Sequence, residues 1–256
     1  MLAQSGNANV YRVAGERFDM REDATGNSGT TFCSPAVRER PILFSGEMVR
    51  AILDGRKTQT RRIIKPQPET WHHDERGFEL KRTDEHRPVF ADTFAKNYSP
   101  YGQPGDFLWV RETWKTGCNL DKYSPKQIRE KYEDAGYRLG DRANGKCCPM
   151  LYLANGEHKR WGDYGIADFG EWGKTRVSIH MPRWASRITL EITGVRVEQL
   201  QDITEHDAWM EGCHDSTIPT KYKTSVAWFH ELWSSINGPA SWIANPWVWV
   251  VGFRRV

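Results

Sequence analysis

A lysine three residues ahead of a threonine is the arrangement in this chain with the plainest chemical meaning. Lys57 and Thr60 lie in the run Gly55-Arg56-Lys57-Thr58-Gln59-Thr60-Arg61-Arg62. An alcohol is a weak nucleophile until a base takes its proton, and a neutral amine is such a base. Lysine titrates near about 10.4 in water, so acting as a base near neutrality needs a shift of roughly three units, on the order of 4 kcal/mol. The neighbours push that way. From Arg50 to Lys65 there are six basic residues (Arg50, Arg56, Lys57, Arg61, Arg62 and Lys65) against one acid, Asp54. Cations crowded around an ammonium disfavour its charge, and together they attract anions, nucleotides among them. By residue type alone the same run also reads as a solvated basic turn whose threonines favour a strand.

The elements that must position these side chains follow from the flanking pattern. Residues 40–44 are a short strand-like run. Ser45 is placed to cap a helix carrying Met48, Val49, Ile52 and Leu53 on one stripe. Gly55 stands where a left-handed helix stop is wanted, so the basic run starts at a helix C-terminus and becomes extended over 58–64, until Pro66 and Pro68. On a regular strand, residues three apart face opposite sides. Lys57 and Thr60 therefore converge only if the chain is still turning at Lys57, which Gly55 allows.

Further along, Pro104-Gly105-Asp106 is a turn leading into the apolar strand 107–110, which exits through Arg111 and Glu112. Strand signals return at 187–192, and Gly194 predicts a bulge. Thr204 with Asp207 three residues on is a capping box, with Ile203 and Ala208 at the staple positions. That helix stops at Gly212, leaving Glu211 on its last turn. A second helix over about 225–234 places Val226, Phe229 and Trp233 on one face. Asn237-Gly238 is a turn, and the chain closes in a strand over 247–253, apolar on both faces. Strands with few helices between them and a terminal strand fit an α+β, mainly β fold: a small β-barrel with short helices at its mouth.

Composition narrows the classes. The 256 residues carry 36 basic and 33 acidic side chains, so any nucleic-acid affinity is expected to be local. No apolar run reaches membrane-spanning length and the N-terminus lacks the apolar core of a signal peptide, which points away from a membrane and to the cytoplasm. The five cysteines (Cys33, Cys118, Cys147, Cys148 and Cys213) form no regular framework. Cys147-Cys148 with His158 and His214 has poor zinc spacing, so neither metal nor cofactor is expected. Residues 1–39 read as a flexible extension ahead of a 40–256 domain, 67–104 as a polar excursion with His72-His73 in solvent, and 113–181 as a large insertion.

Taken together, these elements resemble the ASCH domain family, a branch of the PUA-like β-barrels. The resemblance rests on Gly55, Lys57 and Arg62 in a Gly-x-Lys-x-x-x-x-Arg pattern after the first helix, on the Gly105-Asp106 turn, on the Thr204–Ala208 helix start and on the aromatic closing strand. The Trp109-Val110-Arg111-Glu112 strand and the 182–187 segment are similar to ASCH proteins of phages and prophages. Barrel positions would be about 40–66, 104–112 and 182–256. One family branch consists of amidohydrolases that remove the acetyl group of N4-acetylcytidine, with the motif Gly-Arg-Lys-Thr-x-Thr-x-Arg that residues 55–62 reproduce. The resemblance implies Lys57 as base, Thr60 as nucleophile and Glu211 as the third catalytic member.

Several other readings stand beside this one. Arg62 and Arg56 are candidates to hold a substrate oxygen or phosphate. Glu112 is the rival carboxylate, with a salt bridge to an arginine of the motif as its structural role. Arg183, Trp184 and Arg187 form a basic–aromatic cluster of the kind that tracks a phosphate backbone and stacks a base, with Lys221, Tyr222 and Lys223 more weakly placed. The expected partner is a nucleoside or RNA. The expected activity is amide hydrolysis on an N-acylated base; the alternatives are a non-catalytic RNA or modified-base binding module and a metal-independent ribonuclease.

Overall fold

The computed structural model describes residues 37–73, 77–134, 150–156, 158–159, 171–213 and 223–256. By internal contacts the chain divides into Met1–Val37 and Arg38–Val256, and every element below belongs to the second unit. Residues 1–36, with Cys33, lie outside the described residues, as do Cys147, Cys148, His214, Lys221 and Tyr222.

In chain order the elements are β1 (Glu39–Leu43), α1 (Gly46–Leu53), β2 (Gln59–Ile63), β3 (Glu69–His73), β4 (Gly77–Lys81), β5 (Val89–Phe90) and α2 (Ala91–Tyr98). There follow β6 (Phe107–Arg111), β7 (Trp114–Thr116), α3 (Pro125–Asp134), β8 (Met150–Tyr152), β9 (His158–Lys159) and β10 (Thr189–Gln199). The chain ends with α4 (Glu205–Met210), α5 (Ser225–Asn237), α6 (Ala240–Ile243) and β11 (Trp247–Arg255). The class is α+β and rich in strands.

The principal sheet has the order β1-β6-β10-β11-β2. Strand β1 runs parallel to β6, while β6–β10, β10–β11 and β11–β2 are antiparallel. Among the described residues no closed barrel forms, and β1 and β2 are the sheet's two edges.

Alternation along β11 explains how both faces of this sheet are covered. Trp247, Trp249, Val251 and Phe253 join one core with Ile42, Val49, Ile52, Phe94 and Ile192. Val248 and Val250 point the other way and join Leu200, Ile203, Ala208, Phe229 and Trp233. Successive side chains on a strand leave on opposite faces, so a run apolar throughout needs helices on both sides. We call the face under α1 and α2 the inner face and the face under α4 and α5 the outer face.

Segment 67–104, expected as a polar excursion, instead folds as the sheet β3-β4-β5 followed by α2. Its few apolar residues are spaced to reach the core: Leu80, Phe94 and Ala95 are all buried. The Phe94 ring stacks on Trp249 at 5.6 Å. His72 is exposed, as expected, and packs on Phe78 at 4.8 Å. Within 113–181, β7-β8-β9 form a third sheet around Trp114, Met150 and Tyr152.

Candidate buried lysine–carboxylate site

Two helix ends build the site. α1 starts at Ser45, whose hydroxyl accepts from Met48 N, and closes at Asp54. Gly55 follows with φ +75°, a left-handed conformation that a Cβ would strain. The chain then folds back on the helix, with Arg56 N and Lys57 N both donating to Ala51 O at 2.9 and 3.0 Å. α4 is only six residues long and depends on its cap: Thr204 Oγ1 accepts from Asp207 N, and the Asp207 carboxylate accepts from Thr204 N. It ends at Glu211 and Gly212, φ +105°, where a Cβ would stand 3.2 Å from Ala51 Cβ and 3.4 Å from Lys57 Cβ. A glycine here lets the two helix ends touch.

Lys57 thus lies before β2, in an isolated antiparallel bridge with Glu211. Thr58 N donates to Met210 O at 2.9 Å and Phe253 N donates to Thr58 O at 2.8 Å, stitching the turn to α4 and to β11. The expected departure from a regular strand at Lys57 is therefore present.

Within this frame Lys57 Nζ donates to Glu211 Oε2 at 2.7 Å and to Glu211 O at 3.0 Å. The lysine side chain is fully enclosed, with 0% of it exposed. The second carboxylate oxygen, Oε1, accepts from Arg61 Nη1 at 3.2 Å. Arg61 is buried too, with Asp207 at 3.4 Å, Glu198 in hydrogen-bond contact and the Phe229 ring 5.9 Å away. Arg196 ties the other end, donating to Asp207 at 2.8 Å, Glu198 at 2.9 Å and Gln59 Oε1 at 3.1 Å. Three cations (Lys57, Arg61, Arg196) thus interleave with three carboxylates (Glu198, Asp207, Glu211).

Burial drives the Lys57 amine below the ordinary lysine value. The Glu211 charge and hydrogen bond oppose that shift, and Arg62 and Arg61 add to it. Burial alone would raise Asp207, but hydrogen bonds from Thr204 and Gln59 and the charge of Arg61 hold it well below the usual carboxylate range.

The remaining predicted residues separate. Thr60 is buried and pairs with Val251 across β2–β11, which turns its side chain to the inner face. Among the described residues no hydrogen bond joins Lys57 Nζ to Thr60 Oγ1. Arg62 faces the same side, opposite Trp249, with its guanidinium 5.4 Å from the Phe44 ring and 2.5 Å from Leu43 O. Lys57 Nζ is 5.8 Å from that ring, so Phe44 is the common neighbour of lysine and arginine. Arg56 spans Asp54 at 2.8 Å and Gly212 O at 3.1 Å, which makes it a brace for the turn.

Glu112 does form a salt bridge, but the expected partner within the basic motif is wrong. Its carboxylate receives both Nε and Nη2 of Arg187, at 2.8 and 2.9 Å, and Arg187 also stacks over Tyr152 at 4.2 Å. The basic–aromatic cluster does not assemble as one surface either. Arg183 is exposed and pairs with Glu39, Trp184 packs edge-on against Trp114 at 5.7 Å, and Arg187 turns inward. Residues Arg183–Ala185 form a 3-10 turn, whose three residues per turn fan consecutive side chains apart.

Arg61 was expected as a cation acting on Lys57 and Asp207 as a helix cap, but their pairing, and the part of Glu198 and Arg196 in the site, were not expected from the sequence. A signal existed: on β2, Gln59 and Arg61 share a face, and that face meets the capping-box carboxylate. Among the described residues no group of three or more His, Cys, Asp or Glu side chains could hold a metal ion, and no helix is long and apolar enough to cross a membrane. No family model, curated protein or solved structure matches this chain.

Proposed function

We propose that the chain is an ASCH-type amidohydrolase of PUA-like ancestry that removes the acyl group from the exocyclic amine of a nucleoside or RNA base. The reading rests on one observation above the others: Lys57 in the Gly-x-Lys-x-x-x-x-Arg run is enclosed, lowered in basicity by burial and paired to Glu211 at 2.7 Å. Burial favours the neutral form of an amine so placed, which is the form a base for a threonine alcohol needs.

In this mechanism Thr60 Oγ1 attacks the amide carbonyl carbon while its proton passes to neutral Lys57 Nζ. The carbon–nitrogen bond then breaks, the leaving amine takes that proton, and an acyl ester remains on Thr60. Water attacks the ester and gives a proton to Lys57; the Thr60 oxygen–acyl bond breaks, Lys57 passes that proton to Thr60 Oγ1, and the carboxylic acid leaves with both residues restored. Glu211 orients the amine. Both hydrogen bonds of Lys57 Nζ now go to Glu211, so the amine must rotate toward the inner face to meet Thr60.

A second reading, a binding module for RNA or a modified base, draws on that same fact: an enclosed lysine whose hydrogen bonds both go to Glu211 also suits a purely structural pair. The two separate in one experiment. Purified protein is incubated with N4-acetylcytidine beside a Lys57→Ala control of verified fold, and cytidine is followed by chromatography. Release that the control lacks supports the hydrolase; absence of release from the native protein overturns it in favour of the binding module.

A further inference from the structure

The outer face of the sheet has an uncovered end. Along β11 the outward row reads Val248, Val250, Gly252, and the first two lie under the helices while the third has no side chain. Gly252 is paired with Gly194 of β10, at the point where the β10–β11 register shifts between Ile192 and Gly194. Over this glycine pair opens a cavity of about 500 Å³. That volume falls within the roughly 300–1,000 Å³ of small-ligand sites.

Gly194 stands at the expected bulge, yet its local geometry leaves room for a side chain. Its φ is not in the left-handed region, and a Cβ built on it would meet nothing within 4 Å. A glycine inside a strand weakens that strand, and it commonly marks a place where something approaches the backbone closely. What its missing side chain does here is keep the cavity open. The floor is consequently bare backbone, which a planar ring can approach closely.

The walls specify the ring's chemistry. Met210 supplies an apolar edge, and Thr58, Thr193 and Gln59 bring polar groups. Arg196 also lines the cavity, but its charge is already met by Glu198 and Asp207 at 2.9 and 2.8 Å. The site therefore offers polar contacts without an unmatched charge, which fits a neutral ring with polar edges better than a phosphate. Its wall residues Thr58, Gln59 and Met210 are the chain neighbours of Lys57, Thr60 and Glu211, while those three residues do not line it.

We propose that the glycine-floored cavity between β10, β11 and the end of α4 binds the flat face of an uncharged heterocyclic base. The proposal is independent of the hydrolytic step, since it needs neither Lys57 nor Thr60. The test is calorimetric titration of the full chain with cytidine, uridine and adenosine, repeated with Gly194→Val. None of these nucleosides carries an acyl group, so failure of deacylation leaves the result untouched. The expected result is binding by at least one nucleoside, weakened about tenfold or more by Gly194→Val, whose added side chain fills open space and should leave the melting temperature unlowered. Amide chemical shifts of Gly194 and Gly252 in the native chain, followed during the same titration, give a readout that needs no variant. No binding at about 1 mM, equal affinity in Gly194→Val, or shifts that avoid both glycines would each overturn the proposal.

Discussion

Among the described residues two carboxylates, Glu112 and Glu211, lie buried, and they differ in what holds them. Glu112 receives a parallel pair of hydrogen bonds from Arg187, and that guanidinium is further covered by Tyr152. Glu211 is shared, one oxygen to Arg61 and the other to Lys57. An arginine does not give up its proton in a protein, whereas a lysine shifts readily when buried. The first pair is therefore a strut built on a cation that keeps its charge. The second contains one partner that can become neutral, and burial already biases Lys57 that way. Equal burial with unlike cations separates a structural ion pair from one able to handle a proton.

The largest difference should appear when each pair is broken. Glu112→Ala leaves Arg187 buried and always charged, so a loss of about 3–5 kcal/mol is expected in chemical denaturation. Glu211→Gln leaves Lys57, which can respond by shedding its proton; a smaller loss of about 1–3 kcal/mol is expected, shrinking as pH rises. Equal costs for the two, unchanged by pH, would mean that Lys57 keeps its charge as firmly as Arg187 does.

The next effect is a pH dependence with a definite sign. Lys57 in the folded chain titrates below its ordinary 10.5. Between those two values the unfolded chain binds the extra proton, so unfolding free energy from this residue rises with pH across that window and is flat below it. Lys57→Met should remove the rise. Arg61→Gln should do something subtler: with a neighbouring cation gone, Lys57 regains basicity and the window narrows from below. Titration of the lysine side chain by NMR measures both shifts directly, and no change in Arg61→Gln would remove Arg61 from the group that tunes the amine.

The contrast also shows which parts were readable from sequence. Gly55, Gly212, Ser45 and the Thr204–Asp207 box announced both helix ends, because caps and left-handed stops depend on residues near in sequence. Glu211 as a companion of Lys57 was expected only through a resemblance, not from the residues between them, and 154 positions separate the two. Arg187 as the partner of Glu112 was not expected, since 75 positions separate them and only the sheet brings them together. Likewise the β3-β4-β5 sheet was hidden in a polar stretch whose signal was a few apolar residues, Leu80 and Phe94 among them, and whose partner Trp249 lies at the far end of the chain. Burial of Thr60 against the inner face is a matter of β2–β11 register, which a motif does not encode.

The smallest expected effect probes how each carboxylate is carried. Glu112 follows directly on β6, anchored by sheet pairing on both sides of that strand. Glu211 ends a six-residue helix held at its start by Thr204. Thr204→Ala removes the cap and should cost about 1 kcal/mol, far less than breaking either pair. Yet the loss falls on the element that presents Glu211, so backbone amides near Thr58 and Glu211 should exchange hydrogen faster while those of β6 keep their protection. Hydrogen exchange with peptide-level resolution reads this out. A uniform change across α4 and β6 would place both carboxylates in one cooperative unit, and the proton-handling pair would then have no looser mounting than the strut.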